Sequence, residues 1–121
     1  METNIQHQEP FQYAEVYISD MFALKNIFQQ IQNTRKINPE FGIPFLLVRK
    51  KNEVIGFASL VFQEKNGIAF KIFEQKAMPE TERKNFVSRA ENYIKASTAP
   101  NFRNPEQLKS SIQKMISWLN M

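Results

Sequence analysis

The stretch "MPETERKNFVSRAENYI", Met78 to Ile94, is the part of the chain whose residue types and spacing could do chemistry. It follows an alternating apolar run and opens a helix, and the first-turn N–H groups of a helix have no intrahelical partner and attract anions such as phosphate. Pro79, Glu80 and Arg83 stand at its start. Lys84, Asn85, Phe86, Val87 and Ser88 follow Arg83. Just upstream stands Glu74, a carboxylate that could accept a proton near neutral pH only if burial raised its pKa. Its neighbours Gln75 and Lys76 favour a solvated strand end instead. Glu80 and Glu82 are explained by the positive end of the helix dipole without any acid-base role.

Other chemistry lacks its residues. There is no cysteine, hence no disulfide framework, thiolate nucleophile or cysteine zinc site. His7 is the single histidine, which rules out a multi-histidine metal site. Neither a Gly-x-Ser-x-Gly elbow nor a Gly-Lys-Ser/Thr phosphate loop occurs, so hydrolysis by nucleophile or of nucleotide has no visible machinery. A net charge of +4 and a pI near 9.4 permit an anionic partner without choosing one. The densest basic clusters are Arg35–Lys36 and Arg49–Lys51. The opening residues lack the pattern of an export signal, and apolar runs such as "VIGFASLVF" are too short to span a membrane. Cytoplasm is the expected location, with no membrane contact.

The elements that must position these residues follow from periodicity. Residues 1–9 read as a polar, mobile tail, and 10–121 as one α+β domain. Eleven phenylalanines and a 42% hydrophobic fraction are enough to build its core. "FQYAEVYIS", Phe11 to Ser19, alternates as a strand. Ser19 or Asp20 caps a helix with a stripe of Met21, Leu24, Ile27, Phe28 and Ile31, which fades at "NTRKINPEFG". "PFLLVRK", "EVIGFASLVFQ" and "GIAFKIFEQ" form a meander. Its second hairpin turns at Asn66-Gly67, since both residues tolerate positive φ. In the central strand, Ile55, Phe57 and Val61 are expected on one face, and Val54, Ala58, Leu60 and Phe62 on the other. Pro79 begins a helix with Phe86, Val87, Ala90, Tyr93 and Ile94 inward. After a loop, Asn104 caps a last helix with Pro105 in first position and Gln107 closing a capping box. Its stripe is Leu108, Ile112, Met115, Ile116 and Leu119, flanked by Trp118, which could supply a homodimer or partner surface. The predicted order is β-α-β-β-β-α-α, an antiparallel meander sheet packed with helices.

This order, together with Pro79, Glu80, Arg83 and the "EVIGFASL" strand, resembles the GNAT family of N-acyltransferases over about residues 10 to 95. The resemblance implies a shortened GNAT-like fold in which acetyl-CoA or another acyl-CoA would seat its pyrophosphate at Arg83–Ser88 and Glu74 would be the nearest general base. The family writes that loop with glycines, which let backbone approach phosphate without a Cβ. Here Gly42, Gly56 and Gly67 all precede it, and Lys84 and Phe86 stand where the first two glycines belong. The segment after the helix offers no further strand, and no tyrosine follows Tyr93 to act as the family's general acid.

The expectation is therefore a binding or assembly module with a degenerate acyl-CoA loop, no bound cofactor and no catalysis. One alternative is an active acyl-CoA-dependent N-acyltransferase using Arg83, Lys84 and first-turn N–H groups. A second is a nucleic-acid binder acting through Arg35, Lys36, Arg49, Lys50 and Lys51, with salt-sensitive affinity. The order α-β-β-β-α over 20–96 also matches a double-stranded RNA-binding domain, although only Arg83, Lys84 and Arg89 are basic where such modules grip phosphate.

Overall fold

The computed structural model describes residues 10–65 and 67–121; the tail with His7, and Asn66 of the second hairpin, lie outside the described residues. The chain is α+β in the predicted order. Strand β1 (Gln12–Glu15) leads through a 3₁₀ turn into helix α1 (Met21–Gln32). Strands β2 (Ile43–Lys50), β3 (Glu53–Gln63) and β4 (Gly67–Glu74) follow, then helices α2 (Glu80–Ala96) and α3 (Pro105–Leu119). All neighbouring strands pair antiparallel in the order β1-β2-β3-β4.

β1 is shorter than its alternation predicts, because Asp20 takes over the chain from Tyr17 onward. The Tyr17 amide donates to Asp20 Oδ2 at 2.8 Å, and the Asp20 amide donates to the Tyr17 carbonyl at 2.9 Å, winding Ile18–Asp20 into the 3₁₀ turn. Asp20 flanks α1 with near-helical backbone and makes no side-chain cap bond to it; its other carboxylate oxygen holds Arg49 at 3.2 Å. α1 buries Met21, Leu24, Ile27 and Phe28, each such side chain contributing about 1.5–3 kcal/mol. Ile31 of the predicted stripe is exposed, at the end of the helix and two residues before left-handed Asn33. The β2–β3 turn is built from Lys51 and Asn52, both at positive φ, the signature of a type I′ hairpin whose twist matches the strands.

Two bulges correct the predicted faces of the sheet. Pro44 pairs with Ser59 and Leu46 with Ala58, which leaves Phe45 as an extra residue in β2. Val48 pairs with Gly56 and Arg49 with Val54, which leaves Ile55 extra in β3. Strict alternation puts Ile55 with Phe57, and Val54 with Ala58. The second bulge exchanges them: Ile55 packs with Ala58 and Leu60, and Val54 packs with Phe57.

Both faces are covered. On one, Phe45, Val48, Ala58 and Leu60 meet Phe86 and Ala90 of α2 and Leu108 and Ile112 of α3. On the other, Leu47, Phe57 and Phe73 meet Leu24, Ile27 and Phe28 of α1, Phe41, and Leu119. One helix, α3, thus serves both cores by crossing an end of the sheet. At that crossing, Lys109 lies 5.0 Å over the Phe62 ring at the end of β3. Asn104 caps α3 as predicted, accepting from the amides of Glu106 at 3.0 Å and Gln107 at 3.1 Å. The capping box does not close. The Gln107 side chain instead donates through Nε2 to Ser111 Oγ at 3.3 Å, one turn on. Near the far end of α3, Asn120 pairs with the peptide of Ile37 through both its oxygen and its nitrogen, each at 2.9 Å.

Candidate functional site

Helix α2 starts at Glu80, so Arg83–Ser88 is not a loop but lies within a regular helix from its fourth residue on. Its amides are spent on the preceding turn, beginning with Arg83 to the Pro79 carbonyl at 2.9 Å. The six residues consequently point in different directions. Phe86 is fully buried among core side chains, Val87 is half-buried, and Lys84, Asn85 and Ser88 face solvent.

Arg83 turns back to the end of β4. Its Nε meets Glu74 Oε2 at 2.6 Å and its Nη2 meets Oε1 at 3.0 Å, a bidentate fork; Nη1 reaches Glu80 at 3.2 Å. Glu74 Oε1 also accepts the Met78 amide at 3.2 Å, fixing the turn between strand and helix. The structure thus joins Glu74 and Arg83 directly, but as partners of one another. The Arg83 guanidinium holds the Glu74 carboxyl below its usual range, against the opposing pull of burial. A base for an amine needs the opposite shift, toward neutrality.

A second constellation lies in an open cleft of about 540 Å³ between β1 and α2, lined by Tyr13, Ala14, Glu15, Leu46, Arg89, Asn92 and Tyr93. The Tyr13 hydroxyl donates to Glu82 Oε2 at 2.6 Å, and the Tyr93 hydroxyl donates to Glu15 Oε1 at 2.9 Å. Arg89 lies 4.3 Å over the Tyr13 ring. These contacts tie the first strand to α2 across 69 and 78 residues of chain. Sequence periodicity carries no signal for them: it places Tyr13 on a strand and Glu82 in a first helical turn without showing that the two meet.

Burial, and then the bond to Glu82, push the Tyr13 hydroxyl from 10.0 up to about 12. Burial and the Glu15 carboxylate raise Tyr93 as well. Because the folded-state value of Tyr13 is raised, its contribution to stability is fully present below pH 10.0 and is lost as pH rises through about 12. In an alkaline titration followed by phenolate absorbance, Tyr13→Phe is expected to remove the step near 12; persistence of that step in the variant would contradict the assignment.

Taken together, the carboxylate of one constellation is driven down and the phenol of the other is driven up, so neither stands near neutral pH as a proton carrier. The basic clusters are partly committed too. Arg49 pairs with Asp20 at 3.2 Å, and Lys50 lies 5.1 Å over the Phe11 ring. Among the described residues no helix is long and apolar enough to cross a membrane. Comparison of the chain with protein-family models, with curated proteins and with solved structures finds no match.

Proposed function

We propose that the chain is a cytoplasmic, non-catalytic binding or assembly module built on a shortened GNAT-like core whose acyl-CoA cradle is closed by its own side chains. The observation that carries this reading is Phe86. It stands where the resemblance would put a cradle glycine, and it is fully buried in the core. The bidentate fork between Arg83 and Glu74 supports it further, since the one arginine at the helix start already has its anion. An active N-acyltransferase would have to break that pair to free Arg83 for pyrophosphate and Glu74 for an amine.

Titration of isotope-labelled protein with coenzyme A and acetyl-CoA tests the reading through backbone amide shifts. No saturable shift at Lys84 through Ser88 is expected at millimolar ligand. Saturable shifts confined to those amides and to β4 would overturn the closed-cradle reading and restore an acyl-CoA enzyme. Nucleic-acid binding through Arg35, Lys36 and Lys51 finds less support, because Arg49 and Lys50 of the same cluster are engaged within the fold.

A further inference from the structure

Most large apolar side chains of this chain are covered, yet three stand out together at the meeting of α1 and α3. Ile18 is 75% exposed, Phe22 59% and Trp118 39%. Ile18, in the 3₁₀ turn, stands four residues before Phe22 in the chain, and the rings of Phe22 and Trp118 pack at 5.7 Å between centroids. Scattered exposed apolar residues are ordinary; exposed rings that pack together across two helices form an apolar patch of the kind that docks a partner.

The charges around the group indicate its partner. Lys25 lies three residues after Phe22, and Lys114 four residues before Trp118. Among the described residues neither lysine is in an ion pair. Lys25 donates to the Leu119 carbonyl and so offsets the negative end of α3. The nearest acid along α1, Asp20, is committed to Arg49. An apolar centre with a positive rim calls for an apolar row with acidic flanks. We infer that the Ile18–Phe22–Trp118 surface docks an amphipathic helix of a partner protein that carries Asp or Glu beside its apolar row. This deepens the reading of the chain as a binding module and rests on it.

Two other occupants fit less well. A second copy docked face to face sets Lys25 and Lys114 against like charges. An anionic membrane would draw on only two lysines, and Trp118, held against Phe22, is not free to enter the acyl boundary.

Trp118 is the single tryptophan, so its emission reports this surface alone. The probe is a synthetic helical peptide of about 18 residues with leucines at i, i+3, i+4 and i+7 flanked by glutamates. A matched peptide with lysine flanks, phosphatidylserine vesicles and the protein alone at rising concentration complete the set. The expected result is a saturable blue shift with the acidic peptide only. That affinity should weaken about tenfold or more in Phe22→Ser and in Ile18→Ser, and several-fold in Lys114→Glu, with an unchanged far-UV spectrum in each. Equal response to both peptides, no response to the acidic one, indifference to Phe22→Ser and Ile18→Ser, or a shift with vesicles or with concentration alone would each overturn the proposal. Coenzyme A titration of the same samples reads amides of α2, so failure of the closed cradle and failure of this surface register separately.

Discussion

Replacing Phe86 with glycine is expected to unfold the chain, not to open a cofactor site. The ring is fully buried and lies 5.6 Å from the Tyr13 ring, in the cluster that also holds Phe45, Ala58 and Leu108. Truncating a buried phenylalanine to alanine costs about 3–5 kcal/mol, because the cavity collapses only in part. Glycine in the interior of a helix adds about 1 kcal/mol. The sum of about 4–6 kcal/mol is comparable to the whole stability of a domain, about 5–15 kcal/mol. Urea unfolding followed by far-UV circular dichroism is expected to show a lost or barely retained native baseline for Phe86→Gly. Phe86→Leu should keep a clear transition, lowered by about 1–1.5 kcal/mol. A Phe86→Gly chain that unfolds at the parent midpoint and gains acyl-CoA binding would sink both the prediction and the closed-cradle reading.

That outcome ties function to packing at one residue. A cradle glycine tolerates phosphate because it fills no space, whereas Phe86 carries the contact between α2 and the sheet. The same helix start is fixed a second time by Glu74, which holds Arg83 through two bonds and the Met78 amide through a third. Opening it for an anionic cofactor therefore requires both a cavity in the core and the loss of an ion pair. The proposed docking surface at Phe22 and Trp118 makes no such demand on the fold.

Much of this architecture is legible in the residues themselves, because helical stripes and strand alternation are local. Leu24, Ile27 and Phe28 read as a buried face and are one, and Asn104 reads as a cap and is one. Illegible are the features set by pairing across strands. Nothing in "PFLLVRK" or "EVIGFASL" marks Phe45 or Ile55 as extra residues, since a bulge is a property of two strands in register. The path of α3 across the sheet end is equally hidden, because its stripe of Leu108, Ile112, Met115, Ile116 and Leu119 looks like a single face serving a single core. At the candidate site, the absence of glycine from Arg83–Ser88 is plain in the residues, but the ring of Tyr13 beside Phe86, and its bond to Glu82, depend on β1 lying under α2. Phe22 falls beside the stripe of α1 and so outside its buried face, but only the position of α3 shows that its neighbour is Trp118.

Alanine at Gly42 is expected to be nearly as damaging as glycine at position 86, for the opposite reason. Gly42 has φ 64° and ψ −149°, a region open essentially to glycine alone. It joins the 3₁₀ turn at Pro39–Phe41 to β2, and an added Cβ would lie 2.0 Å from the Leu60 carbonyl oxygen and 3.0 Å from Val61 Cγ1. That oxygen belongs to the central strand, so it cannot retreat without distorting the sheet. Backbone strain of about 1–3 kcal/mol and overpacking of a similar amount give an expected loss of about 2–6 kcal/mol. Gly67 supplies the internal control. Its φ is 75°, but an added Cβ would meet only Pro105, at 3.2 Å, so Gly67→Ala should lose about 1 kcal/mol. Equal urea midpoints for the two variants would refute the close approach at Gly42. The consequence extends to the proposed docking surface, since Gly42 sets the position of Phe41. Phe41 packs at 5.3 Å against Phe28 of α1 and at 5.8 Å against Phe57, in the core that also buries Leu119 beside Trp118. If Gly42→Ala shifts that turn, α1 and the end of α3 lose their common support. The Trp118 emission of the free protein should then move to the red, even where β3 and β4 still pair.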